Sequence, residues 1–274
     1  MNLPPPFGAW DAIHHRPESR VAVTRALPEE TAIAMVYDGS THAVMMATPA
    51  DVQDFALGFS LTEGIVTDPG QIASCEVIAH DKGIEAQMWL AEDRGAALAA
   101  RRRSLAGPVG CGLCGIDSIE AAVRSLPSLA GIGPALTTAE IVSATDSLRG
   151  WQPLHDRTRA VHAAGFLRPG QGVVLAREDV GRHNALDKLI GAMARQGVDP
   201  AQGAIVLTSR VSTEMVQKCA MAGCAVLIAV SAPTLHALRL AEGAGLTLAA
   251  FARGEGFDLF CHPERLCAQV SDVA

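Results

Sequence analysis

Four short apolar runs constrain the fold of this chain more than any other feature. They lie at residues 172–177, 203–208, 225–230 and 246–251, with helical patterns at 184–196, 212–222 and 233–243 between them. Runs this short read as strands buried on both faces, and strand–helix alternation predicts a mainly parallel sheet covered by helices on both sides. With 274 residues, one large or two modest domains are expected.

The first hundred residues have a different rhythm. Residues 20–27 and 31–37 are rich in strand formers, Asp38-Gly39 is a hairpin turn signal, and 43–48 returns as a strand. Thr48 is then expected to cap a helix with Pro49 at its first position and Asp51 in its first turn. Phe55, Ala56 and Phe59 give that helix an apolar face, and Gly64 ends it. Residues 75–80 and 84–90 form another strand pair around Asp81-Lys82-Gly83. The division that follows is an N-terminal α+β domain over 1–103, a cysteine loop and linker helix over 104–133, and an α/β domain over 134–274. The Pro/Gly-rich 126–136 stretch marks the seam.

Ligands of open α/β sheets bind beyond the carboxyl ends of the strands. The residues expected there are strongly polar: Arg177-Glu178-Asp179-Val180-Gly181-Arg182-His183-Asn184-Ala185-Leu186-Asp187-Lys188, then Thr208-Ser209-Arg210-Val211-Ser212, then Ser231-Ala232-Pro233-Thr234. Asn184 with Asp187, and Ser231 with Thr234, are spaced as helix caps. Helix N-termini beside Arg182 and Arg210 suit a phosphate. Asp179 or Asp187 suits the paired N–H donors of a base edge such as guanine. Such charges also serve as ordinary caps and i,i+4 pairs, and His183 fits acid–base work or hydrogen bonding equally.

A second motif is Gly110-Cys111-Gly112-Leu113-Cys114-Gly115, running into Asp117-Ser118-Ile119-Glu120, which reads as a capping box. Thiols near the positive end of a helix favour the thiolate, the nucleophilic form. Arg101, Arg102 and Arg103 lie just upstream and add positive potential or, equally, form a solvated helix end. Cys111 and Cys114 alternatively supply half of a zinc site, or form a disulfide switch. The chain has no second CxxC, and Cys219 and Cys224 read as small buried hydrophobes.

The formal net charge of −7 argues against general nucleic-acid binding. A mean hydropathy of +0.22 is high, yet no run is clean enough to span a bilayer, so a well-buried sheet and an oligomer interface are expected. Seven cysteines without a disulfide framework, and a Pro-rich start without a signal core, fit the cytoplasm.

The run Arg177 to Lys188 resembles the signature of the FdhD-type formate dehydrogenase accessory sulfurtransferases, and Cys111-Gly112-Leu113-Cys114-Gly115 is similar to that family's reactive loop. Further matches are Thr62-Glu63-Gly64-Ile65, Ser209-Arg210-Val211-Ser212 with Glu214, Ser231-Ala232-Pro233-Thr234 and Pro263-Glu264-Arg265-Leu266, covering the chain from about residue 20 to its end. The resemblance implies a cytidine-deaminase-like sheet with helices on both faces, joined to the smaller α+β domain. It implies a homodimer that takes persulfide sulfur from a cysteine desulfurase. That sulfur passes to the bis-guanine-dinucleotide molybdenum cofactor, a bound substrate here, for insertion into formate dehydrogenase. No permanent metal, membrane or nucleic-acid partner is implied.

Cys111 and Cys114 are then the sulfur-carrying pair. The nucleotide is expected near Asp179, Arg182, His183, Asn184, Asp187, Lys188, Ser209, Arg210, Ser231 and His162, assigned from loop position and chemistry. One stretch departs from the family pattern. Where a Thr-Gly-Gly-x-His run is usual, this chain has Thr158-Arg159-Ala160-Val161-His162. The change either closes backbone space or adds a phosphate contact.

Two rivals stand beside this reading. A chaperone that only binds the molybdenum cofactor needs the same nucleotide site. A zinc deaminase needs His-x-Glu followed by a CxxC, but His162-Ala163-Ala164 lacks the glutamate and the CxxC lies upstream.

Overall fold

The structure, a computed structural model, describes residues 2–91 and 125–267. Cys111, Cys114, Arg101 to Arg103 and the Asp117–Glu120 capping box lie outside the described residues.

A two-stranded antiparallel hairpin opens the chain: β1 (Phe7–Arg16) and β2 (Ser19–Pro28). Sequence reading missed β1. It forms through cross-strand pairing over its whole length, including Thr24 Oγ1 donating to Asp11 Oδ1 at 2.8 Å.

A four-stranded sheet follows in the order β4-β3-β6-β5, from β3 (Thr31–Tyr37), β4 (Ser40–Ala47), β5 (Ile72–His80) and β6 (Gly83–Leu90). Asp38 and Gly39 turn β3 into β4 with φ of 49° and 73°, as a two-residue hairpin requires. Helix α1 (Val52–Thr62) covers this sheet, burying Phe55, Ala56 and Phe59 against Ile33, Met35, Tyr37, Ile84 and Met88. The helix begins later than expected. Asp51, at φ 54°, stands at its N-cap without a side-chain cap bond, because Thr48 is committed elsewhere.

The larger unit is a six-stranded sheet in the order β13-β12-β11-β10-β8-β9. Its strands are β8 (His162–Arg168), β9 (Gly172–Asp179), β10 (Ala204–Leu207), β11 (Val226–Ala229), β12 (Thr247–Arg253) and β13 (Gly256–Cys261). Only β10–β11 and β11–β12 run parallel; β8–β9, β8–β10 and β12–β13 are antiparallel. The mainly parallel expectation fails because β8–β9 and β12–β13 are joined by short turns, which permit only antiparallel pairing.

Both faces of this sheet are covered. Ile205, Leu207, Leu227 and Leu248 point to one core with α4 (Arg182–Arg195), α5 (Thr213–Met221) and α6 (Leu235–Ala244). Ala204, Val206, Val226 and Ile228 point to the other, under α2 (Thr138–Arg149), whose Ile141, Ala144 and Leu148 close it. This alternation by residue parity is what a doubly covered strand demands. Thr137 and Glu140 form the capping box that starts α2, and a short helix α3 (Pro153–Thr158) follows. Strands β7 (Leu136–Thr137) and β14 (Leu266–Cys267) pair in parallel.

The stretch before β7 is fastened rather than loose. Arg265, within the Pro263-Glu264-Arg265-Leu266 motif, is buried and donates to Ile132 O at 2.6 Å and Leu129 O at 2.7 Å. Its third donor reaches Thr247 Oγ1 at 2.9 Å. The described residues thus form a mixed α/β structure with six helices.

Candidate functional site

The signature run at the end of β9 first makes a joint between the two units. Asp179 Oδ2 accepts the Thr48 backbone N–H at 3.0 Å and pairs with Lys188 Nζ at 2.7 Å; both side chains are fully buried. Lys188 also donates to Thr48 O at 2.8 Å, and Thr48 Oγ1 accepts the Val180 N–H at 3.1 Å. Asn184 Nδ2 donates to Asp179 Oδ1 and to Met46 O. Thr48 therefore serves the β9–α4 loop, which is why it does not cap α1.

A second buried knot lies one helical turn further on. Lys218 Nζ contacts both Asp187 carboxylate oxygens at 3.0 Å, Thr62 Oγ1 at 3.0 Å and Glu63 Oε1 at 2.9 Å. Burial works against the Lys218 ammonium, but Asp187 and Glu63 outweigh it and hold its pKa above the ordinary lysine value. A third tie joins Asp54 of α1 to Arg177, at 2.7 Å, and to Arg195, at 2.6 Å. The Thr62-Glu63 and Arg177–Lys188 motifs thus meet at one interface.

As placed, Asp179, Asn184, Asp187 and Lys188 are buried and bonded within the protein, so they hold the site's frame and do not line an open cavity. Nor do Asn184 and Ser231 cap their helices: Gly181 and Thr234 occupy the N-cap positions. Gly181 gives α4 no side-chain cap, and a Cβ there would lie 2.7 Å from Asn184 Nδ2; Asp179 accepts the Gly181 N–H at 2.7 Å.

At the same sheet edge, His183 Nε2 stands 3.6 Å from Glu214 Oε2, which accepts the Ser212 hydroxyl at 2.6 Å. The His183 imidazole, then the Ser212 hydroxyl, offset burial and hold the Glu214 pKa down at about 2. Arg210 is exposed, Arg182 and Ser231 are half-buried, and Ser209 is buried with its hydroxyl on Arg210 O.

A cavity among the described residues opens on the α2 side of this edge. It has a volume of about 630 Å³ and is lined by α2, α3, residues 159–162, Thr208, Val230, Arg253 and Gly254. That is within the range of about 300–1,000 Å³ usual for small-ligand sites. Three guanidinium groups line it, from Arg149, Arg159 and Arg253, with His155, His162 and the carboxylate of Asp146. Of the residues expected around a nucleotide, His162 alone lines it directly. Burial first, then Arg182 and His183, lowers the His162 pKa, which keeps its imidazole neutral near pH 7.

Glu178 builds the cavity's wall from behind. Its carboxylate accepts the Leu154 and His155 N–H groups, each at 2.8 Å, satisfying donors at the start of α3. Sequence reading missed Arg149, His155 and Arg253 because the helices and strand end carrying them were not assigned. The cationic spacing around Thr158 to His162 was the only signal available.

Five cysteines are described. Cys219, Cys224 and Cys261 are buried, and burial pushes the thiols of Cys224 and Cys261 up to about 11 and that of Cys219 well up. Burial also raises the half-buried Cys75. Such thiols are poor nucleophiles at neutral pH. Among the described residues no helix is long and apolar enough to cross a membrane.

Fold and edge together define a two-unit mixed α/β protein with a cationic cavity where its larger sheet ends. Residues 28–267 match the FdhD/NarQ family model, and the chain belongs to that family. It is 52% identical over 242 residues to the sulfur carrier protein FdhD of Agrobacterium fabrum, covering 88% of this chain and 89% of that one. Identity to the sulfur carrier protein FdhD of Brucella abortus is 54% over 252 residues, covering 92% and 94%. The fold is also that of a Desulfotalea psychrophila protein described as a formate dehydrogenase accessory protein, with a TM-score of 0.75 at 24% identity over 96% of this chain and 100% of that one.

Proposed function

We propose that this protein carries sulfur as a persulfide from a cysteine desulfurase to the bis-guanine-dinucleotide molybdenum cofactor for formate dehydrogenase. The observation that carries the reading is membership of the FdhD/NarQ family, with relatives named as sulfur carriers at about half identity over most of the chain. The cytidine-deaminase-like description of the sheet, the homodimer and the cytoplasmic setting belong to the same proposal.

Cys111 and Cys114 are the carriers. A thiolate on one attacks the outer sulfur of the donor's persulfide; a new S–S bond forms, the donor's S–S bond breaks, and the donor leaves as its own thiolate. The raised pKa values of Cys75, Cys219, Cys224 and Cys261 support this choice, since they disfavour thiolate at those positions. One guanine nucleotide arm of the substrate occupies the cavity, its phosphates toward the arginines and its base toward His162 and Thr208. Neutral His162 donates or accepts a hydrogen bond there without adding charge. Arg182, His183, Ser209, Arg210 and Ser231 stand on the strand-end loops outside the cavity lining and would meet the rest of the substrate there, while the buried Asp179, Asn184, Asp187 and Lys188 fix the frame of those loops.

The Cys111→Ala/Cys114→Ala double variant tests the carrier role against a cofactor-binding chaperone. It is expected to bind GDP normally and to leave formate dehydrogenase inactive in cells that lack their own sulfur carrier. Active formate dehydrogenase with the double variant supports the chaperone instead.

A further inference from the structure

We propose that Arg159 sets a preference of this site for nucleotides bearing two phosphates over those bearing one. The inference rests on the reading of the cavity as a nucleotide site.

Arg159 ends α3 at φ 57° and ψ 18°, the left-handed conformation. Glycine fills such a position freely, whereas a side chain with a Cβ is uncommon there. The turn from α3 into β8 therefore has no need of this arginine. Its side chain is 66% exposed and lines the cavity, so burial does not account for it either.

The charge pattern gives it a use. Asp156 lies 3.7 Å from Arg159 Nη1, but its carboxylate is held more closely by Arg149. Arg159 thus shares Asp156 through the longer contact only, and it and Arg253 face a cavity whose one lining carboxylate is Asp146. A guanidinium presents a planar fork of donors that matches phosphate oxygens. Without Arg159, the wall would keep Arg149, already paired, and Arg253. One available cation suits a monophosphate; Arg159, whose 3.7 Å contact to the shared, exposed Asp156 is weak and readily exchanged, adds a partner for a terminal phosphate. His155, one helical turn before Arg159 on α3, and His162, three residues after it, line the same stretch of wall; burial lowers the His162 pKa, so that imidazole adds no charge to the balance at neutral pH.

Titration calorimetry of the full chain with GDP and GMP tests this. The Arg159→Gly variant is expected to lose about tenfold in GDP affinity, the scale of one charge-assisted hydrogen bond, while GMP affinity changes by less than about twofold. Arg159→Lys, a point charge without the fork, should fall between. Because glycine suits the local backbone, Arg159→Gly should melt no lower than the parent protein, so lost binding cannot come from misfolding. Unchanged GDP affinity in Arg159→Gly, or equal losses for GDP and GMP, overturns the role of Arg159 alone. A parent protein that binds neither nucleotide overturns the nucleotide site as well.

Discussion

Gly58 of α1 and Gly191 of α4 meet at the point where the two helices cross. A Cβ on Gly58 would lie 1.7 Å from Asp187 O, and one on Gly191 would lie 1.8 Å from Asp54 O. The two units thus touch backbone to backbone, and the buried ion pairs of Asp54, Asp179 and Asp187 are built around that contact. Gly58→Ala or Gly191→Ala should destabilise the protein by about 3 kcal/mol, because neither backbone can retreat. The gain in helix propensity, about 1 kcal/mol, does not offset this. Denaturant unfolding measures the loss; a change below 1 kcal/mol would mean that the helices can part cheaply.

Lys218 and Asp187 depend on each other. Lys218→Met should cost about 3–5 kcal/mol by leaving the buried Asp187 carboxylate without its cation, held by the Thr62 hydroxyl at 2.7 Å. Replacing both, as Lys218→Met with Asp187→Leu, should recover most of that loss. A double-mutant cycle by urea unfolding reads the coupling, and additive losses would show that the pair does not interact as its geometry indicates.

Glu214 predicts an acid-side pH dependence. Its folded pKa, about 2, lies below the ordinary 4.5. Its ionisation therefore favours the folded state above about pH 4.5, and that contribution disappears as pH falls toward 2. Glu214→Gln should flatten the stability profile across this window and leave stability at neutral pH less salt-sensitive. Parallel profiles for the two proteins would show that His183 and Ser212 do not hold the carboxylate.

Glu178 should govern the shape of the cavity without touching its contents. Glu178→Ala removes the acceptor for two N–H donors of α3, at a cost of about 1 kcal/mol. It should weaken GDP binding about fivefold through the displaced Arg159 and His155, while Glu178→Gln keeps much of the affinity. Equal GDP affinity in Glu178→Ala would separate α3 from the site.

Period and turn chemistry made much of the fold legible. The runs at 203–208, 225–230 and 246–251 became β10, β11 and β12, because continuous apolar stretches have few alternatives to a doubly covered strand. Direction was not read because β8 was not assigned as a strand, although Pro169-Gly170 after it is the turn signal that makes β8–β9 an antiparallel hairpin; its pairing with β10 follows from tertiary contact. Strand β1 stayed hidden, though β2 was expected at 20–27, because its Trp10 and Ile13 are exposed and no burial pattern announces it. At the site, sequence spacing located the sheet edge but not which side of it opens. The densest charges, Asp179, Asp187 and Lys188, were spent on joining two units, something one-dimensional spacing does not distinguish from a ligand cluster. The cavity's arginines lie far apart in sequence, at 149, 159 and 253, and only folding brings them together.

The most direct test of the central claim is intact mass spectrometry of the purified protein after incubation with a cysteine desulfurase and free cysteine. The account predicts an adduct of about 32 Da, one sulfur atom, that maps to Cys111 or Cys114 and is released by a reducing thiol. Unmodified Cys111 and Cys114, or the same adduct on the Cys111→Ala/Cys114→Ala variant, would contradict it.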